Sequence, residues 1–225
     1  MIPVSEPNLG GNEERYAVEA VRSSWISSHG KFLQRFEDEF RSYVGSKYAL
    51  SVSNGTVALH LALLALDIGP GDEVIYTQYG FVMYPTCAHA SGATPVKVAD
   101  DGFTASVDAI LARVTPKTKI VFLANPNNPT GTYLARSEVE RLWAALPKSV
   151  VLVLDAAYAE YVERNDYSSG ADLAEKAPNV IMLRTFSKMY GLAGLRLGWG
   201  YGAPAVVDVL NRVHGVFNVN AAAQA

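Results

Sequence analysis

The sequence predicts an α/β domain: a mostly parallel β-sheet covered by helices on both faces. Three observations carry this. The apolar runs Val150 to Leu154, Ile120 to Ala124 and Val180 to Leu183 show no polar alternation, as expected of strands buried on both faces. Strand-like and helix-like stretches alternate along the chain, the pattern of parallel strands joined by covering helices. The 225 residues, 49% hydrophobic, suit one large domain with a substantial core.

In chain order, Glu13 to Ser24 and Phe32 to Tyr43 read as helices. Phe32, Phe36, Phe40 and Tyr43 recur at helical spacing, which reads as a core-facing aromatic stripe. Tyr48 to Val52 is a short strand leading into Ser53-Asn-Gly-Thr56, and Val57 to Leu66 has a helical pattern. A strand Glu73 to Tyr76, a helix Tyr84 to Ser91 and a strand Thr94 to Val98 follow. Ser106 to Val114 reads as a helix with Asp108 in an acidic first turn. After the strand Lys119 to Ala124, a helix runs from Ser137 to Leu146, with Ser137 as N-cap and Glu140 completing a capping box. Strands Val150 to Leu154, Val180 to Arg184 and Leu195 to Tyr201 complete the sheet, and Pro204 to His214 is a last helix.

Four segments carry candidate chemistry. Lys188 follows the apolar run Val180 to Leu183, beside small hydroxyl residues and with no acid nearby in sequence, which suits a Schiff-base lysine. Arg196, eight residues on, can grip a phosphate with its fork of donors. Together they suggest pyridoxal phosphate, one group for the aldehyde and one for the phosphate. Asp155 ends an all-aliphatic strand, where open α/β sheets bind ligands. A carboxylate there needs a cationic partner, and a protonated pyridine nitrogen is one. Tyr158, three residues on, can give its hydroxyl to a ring oxygen. In Asn125-Pro-Asn-Asn-Pro-Thr-Gly131 a tight loop holds Asn128 at another strand end. Gly55 and Thr56 open a helix, where free N–H groups favour a phosphate. Each segment also has a plainer reading. Ser-Lys is a common dipeptide, Asp155 and Tyr158 could be a helix cap and a core side chain, Asn128 could sit in an ordinary turn, and Thr56 could be a plain N-cap.

Taken in order, these segments resemble the aspartate-aminotransferase-like fold, the fold type I enzymes of pyridoxal 5'-phosphate. The resemblance implies that Lys188 forms the Schiff base and that Asp155 pairs with the pyridine nitrogen. It implies that Asn128 and Tyr158 bond the phenolate oxygen, and that Ser187, Arg196, Gly55 and Thr56 hold the phosphate. Phe81, just after the strand Glu73 to Tyr76, falls where these families stack an aromatic on the ring; a core phenylalanine is the competing reading.

The resemblance divides near Gly71-Asp-Glu-Val74. Residues 2–75 resemble the nucleotide-sugar aminotransferases through Ile2 to Gly11, Trp25-Ile-Ser-Ser28, Val52 to Thr56 and Ala58-Leu-His60. Residues 76–225 resemble histidinol-phosphate aminotransferase through Asn125 to Leu134, Asp155 to Tyr161, Arg184 to Trp199 and Phe217 to Asn220. Together they form one structural domain in the pattern of a chimera. The histidinol-phosphate enzymes continue into a small C-terminal domain whose arginine grips the substrate carboxylate, so a truncated chain is expected. The implied function is an aminotransferase working on L-histidinol phosphate and 2-oxoglutarate in histidine biosynthesis, with a small amino donor and a 2-oxo acid acceptor as partners, in a homodimer. The alternatives are a keto-sugar aminotransferase and a non-catalytic cofactor-binding scaffold.

Composition narrows the remaining classes. Net charge is −3 with no basic run, which argues against a nucleic-acid partner. The single cysteine, Cys87, permits no internal disulfide and reads as a small buried apolar residue. His29, His60, His89 and His214 have no zinc-type spacing, so no metal is expected. The polar start is unlike a signal peptide and no apolar run is long enough to span a bilayer; a cytoplasmic protein is expected.

Overall fold

The structure, a computed structural model, describes residues 10–23, 31–44, 50–52, 66–213, 219–220 and 223. Its elements in chain order are α1 (Glu13–Arg22), α2 (Lys31–Val44), β1 (Leu50–Val52), β2 (Glu73–Thr77), α3 (Met83–Ala90), β3 (Thr94–Val98), α4 (Val107–Leu111), β4 (Thr118–Ala124), α5 (Arg136–Ala145), β5 (Val151–Asp155), α6 (Ala171–Lys176), β6 (Val180–Thr185), β7 (Gly198–Gly202) and α7 (Pro204–Val213). Single 3-10 turns lie at Ala159–Tyr161 and Ala193–Leu195.

The strands form one sheet in the order β1-β7-β6-β5-β4-β2-β3. From β3 to β6 all pairings are parallel. β7 is antiparallel to both β6 and β1. Two reversals cancel, so β1 runs with the parallel strands and ends, at Val52, on the same edge of the sheet as Asp155. Along β4, Ile120 and Phe122 pack in one core and Val121 and Leu123 in another. One core is closed by Ile110, Leu142 and Leu173 from α4, α5 and α6. The other is closed by Tyr84 and Cys87 from α3 and Val207 and Leu210 from α7. Both faces of β4 are therefore buried, which is why its sequence does not alternate. Each such side chain contributes about 1.5–3 kcal/mol by leaving water. On the edge strand, the Ser51 amide and hydroxyl both donate to Glu37 of α2, at 3.1 and 2.7 Å.

Several expectations are corrected. Ser137 does not cap α5; Ala135 holds that place with no side-chain bond, and Glu140 pairs with Arg136 at 2.8 Å. The cap lies two residues earlier than expected, which places Ser137 inside the first turn. The expected strand Leu195 to Tyr201 begins only at Gly198, because a 3-10 turn and a left-handed Arg196 (φ 54°) precede it. The helix expected from Ser106 to Val114 is Val107–Leu111, with Ser106 outside it as N-cap, its hydroxyl accepting from the Ala109 amide at 3.3 Å. The aromatic stripe is interrupted: Phe32 is buried, but Tyr43 is 86% exposed. Helix α6 was not anticipated; its six residues are too few to show a periodicity.

Candidate active site

Four parallel strands deliver the site. Beyond the carboxyl ends of β2, β4, β5 and β6, the chain presents Phe81, Asn128, Asp155 with Tyr158, and Ser187 with Lys188. β7 runs the other way, so Arg196, just before it, reaches the same edge. Phe81, Asn128, Asp155, Tyr158, Ser187, Lys188 and Arg196 all line one cleft of about 240 Å³. That lies just below the roughly 300–1,000 Å³ of drug-sized ligand clefts and suits one compact ring. Gly55 and Thr56 lie outside the described residues.

Asp155 forms the floor. Its Oδ2 accepts from the Tyr84 hydroxyl at 2.9 Å and its Oδ1 from the Ala157 amide at 3.2 Å. Burial pushes its carboxyl above the ordinary range; the Tyr84 hydroxyl, the Ala157 amide and the Lys188 charge pull it back. Tyr84 is fully buried and stacks on Phe122, with ring centroids 4.8 Å apart. Burial, then the Asp155 charge, holds its phenol well above the ordinary value, so it remains a donor.

Lys188 is exposed at the rim, its Nζ 5.0 Å from the Tyr158 ring centroid. The loop bearing it is pinned at its base. The Phe186 amide donates to the Leu197 carbonyl and the Leu192 amide to the Phe186 carbonyl, at 3.1 and 3.0 Å. Thr185, buried at the end of β6, accepts from the Ser187 amide at 3.1 Å and lies 2.9 Å from the Ser187 hydroxyl. Arg196 lines the cleft as well, and its Nη1 donates to the Ala193 carbonyl at 2.6 Å. Behind the cleft, Arg184 and Glu160 form an ion pair with side chains 16% and 13% exposed. It joins the end of β6 to the turn after Tyr158. The Arg184 guanidinium lies 5.6 Å from the Trp199 ring centroid.

Phe81 is half-buried and meets the Tyr84 ring edge-on, with centroids 5.9 Å apart, while still lining the cleft. It serves the core and the cleft wall at once. Tyr84 and Thr185 are site residues that sequence reading missed. The available signal for Tyr84 was its place in the first turn of α3, three residues after Phe81.

The donor set can be tested against pyridoxal phosphate. A buried carboxylate with both oxygens hydrogen-bonded fits a charged pyridine nitrogen. Lys188, the Asn128 amide and the Arg196 guanidinium line the same space. The residues fit. Among the described residues no group of three or more His, Cys, Asp or Glu could hold a metal ion, and no helix is long and apolar enough to cross a membrane.

Comparison with known proteins bears on the family and the fold. Residues 18–225 match the family described as aminotransferase class I and II, and the chain belongs to that family. Among curated relatives it is 50% identical to a histidinol-phosphate aminotransferase of Paramagnetospirillum magneticum over 214 residues, 93% of this chain and 59% of the relative. It is 57% identical to that of Paracoccus denitrificans over 152 residues, 68% of this chain and 41% of the relative. The chain thus spans well under two thirds of these relatives' length. Histidinol-phosphate aminotransferase from Sinorhizobium meliloti, solved in complex with pyridoxal-5'-phosphate, superposes with a TM-score of 0.84 at 25% identity, covering 97% of this chain and 60% of that one. An aspartate aminotransferase from Thermotoga maritima shares the fold, with a TM-score of 0.83 at 23% identity over 98% of this chain and 63% of that one.

Proposed function

We propose that this protein is a pyridoxal-phosphate-dependent aminotransferase that exchanges an amino group between L-histidinol phosphate and 2-oxoglutarate. The observation that carries the reading is the convergence of Lys188, Asp155, Asn128, Tyr158, Ser187 and Arg196 on one cleft. Lys188 is the attachment point, Asp155 the partner of the ring nitrogen, and Asn128 and Tyr158 the donors to the ring oxygen. Ser187 and Arg196 hold the phosphate, with Gly55 and Thr56 assigned to the same task by resemblance. Phe81 covers one ring face. When bound, the cofactor supplies an electron-withdrawing ring that lets a substrate proton leave carbon. Lys188 Nζ, as a free amine, takes and returns that proton. Asp155 keeps the charge that the ring nitrogen needs, and Tyr84 keeps Asp155 aimed.

The second reading, keto-sugar amination, rests on the motifs of residues 2–75. The histidinol-phosphate reading has broader support, because an alignment over 93% of the chain runs through both parts. A homodimer in the cytoplasm belongs to the same proposal. Tyr161, Met189 and Tyr190, exposed near Lys188, support a covered surface there. Turnover with histidinol phosphate and 2-oxoglutarate, beside a keto-sugar acceptor with glutamate, tests the choice. Asp155→Ala should retain some cofactor and lose about two orders of magnitude in rate, about 3 kcal/mol. Turnover only with the keto-sugar, or near-normal rates in Asp155→Ala, would overturn this assignment.

A further inference from the structure

Asn127 stands beside the site without lining the cleft. It is 7% exposed, and its side chain points away from the ring space into the loops that frame it. Its Nδ2 donates to the Tyr79 carbonyl at 3.1 Å and to the Thr130 hydroxyl at 2.8 Å. Both amide hydrogens are therefore used, while the buried Oδ1 has no partner among the described residues. The observed side-chain bonds of Asn127 are thus both made by its donors. The backbone of Asn127 is fixed as well: its amide donates to the Thr132 carbonyl at 2.8 Å, and its carbonyl accepts from Gly131 at 2.9 Å.

The far end of this tie is Tyr79, two residues before Phe81. Its backbone N–H donates to Asp100 Oδ2 at 3.1 Å, so side chains from two other loops take both of its backbone polar groups. Thr132 extends the link by donating to the Phe103 carbonyl at 2.8 Å. Loops after β2, β3 and β4 are thereby joined. One carries Phe81 and another carries Asn128, next in sequence to Asn127.

We infer that Asn127 is a positioning residue: its amide ties the Phe81 loop to the Asn128 loop and sets the gap between the cleft's aromatic wall and its amide donor. The ligand side of this inference rests on the proposed cofactor; the loop tie does not. Asn127→Asp keeps the shape and removes both donors, setting a carboxylate against the Tyr79 carbonyl. Asn127→Ala removes the link outright. Asn179 provides a matched control. It is 5% exposed, with both its amide oxygen and nitrogen bonded: it accepts from Trp143 Nε1 at 2.9 Å and donates to the Val150 carbonyl at 2.8 Å, before the amino end of β6.

The experiment has two readings on the purified chain. Hydrogen–deuterium exchange without cofactor should show faster exchange over residues 78–84 in both Asn127 variants and unchanged exchange there in Asn179→Ala. Titration with pyridoxal phosphate should show Kd raised about tenfold in the Asn127 variants and unchanged in Asn179→Ala, though the latter melts earlier. Unchanged exchange over 78–84 in Asn127→Asp overturns the tie. Faster exchange with an unchanged Kd overturns the positioning role. If the parent chain binds no pyridoxal phosphate, the proposed function fails, and exchange alone still decides whether Asn127 holds the Phe81 loop. If Asn127→Ala does not fold, Asn127→Asp carries the test.

Discussion

Replacing Tyr84 with phenylalanine removes one oxygen and leaves the ring stacked on Phe122. The lost group is a fully buried donor, 2.9 Å from a carboxylate oxygen whose other donor contact lies on the opposite oxygen. Hydrogen bonds to charged groups contribute about 1.5–3 kcal/mol, and neutral ones about 1 kcal/mol. The cost therefore depends on whether Asp155 is ionised. Asp155 in the folded chain already titrates above its ordinary value, chiefly through burial. The stability tied to a raised carboxyl is full below the unfolded pKa and is lost as pH rises through the folded one. Without the Tyr84 hydroxyl the folded pKa rises further, so that loss deepens on the alkaline side. Urea denaturation of the cofactor-free protein should show Tyr84→Phe weaker by about 2 kcal/mol near pH 8, with the deficit shrinking toward about 1 kcal/mol as Asp155 protonates. A deficit that grows as pH falls, or none at either pH, would refute this reasoning.

Two further substitutions test the packing that positions the site. Glu160→Ala leaves the half-buried Arg184 against Trp199 without its carboxylate and should cost on the order of 3 kcal/mol in urea denaturation; a loss typical of a surface pair would place the Arg184 charge in water. Gly170 sits at φ +86° with its added Cβ colliding with Leu154 Cδ1, whereas Gly102, at φ +51°, has open space around it. Gly170→Ala should therefore cost about 1–3 kcal/mol more than Gly102→Ala, read from paired chemical denaturation curves; equal costs would show that strain in the backbone, not the contact with Leu154, sets the penalty.

Much of the site is legible because each group follows an apolar strand closely. Asp155 ends β5, Asn128 comes four residues after Ala124, and Lys188 three after Thr185, so strand ends alone brought them to one edge. The continuous aliphatic runs of β4, β5 and β6 made that edge readable, since strands buried on both faces leave no alternation. What depends on long-range contact was not legible. Tyr84 reads as one more aromatic on a helix until Asp155, 71 residues away, meets its hydroxyl. Asn127 reads as a turn residue until Tyr79 is placed beside it. The start of β7 was misplaced because Leu195 and Leu197 look strand-like, while Arg196 between them turns left-handed. Ser137 has the composition of a cap, but the helix begins ahead of it. The resemblance of residues 2–75 to the sugar enzymes rests largely on segments outside the described residues.

The attachment of the cofactor to Lys188 is the point on which the functional reading turns. Incubation with pyridoxal phosphate, reduction with borohydride and proteolysis place a permanent mark on whichever lysine forms the Schiff base. The expected result is one labelled peptide, the one containing Lys188, with the visible absorbance of the unreduced complex lost in Lys188→Ala. Label on another lysine, or undiminished absorbance in Lys188→Ala, would contradict the assignment of this cleft.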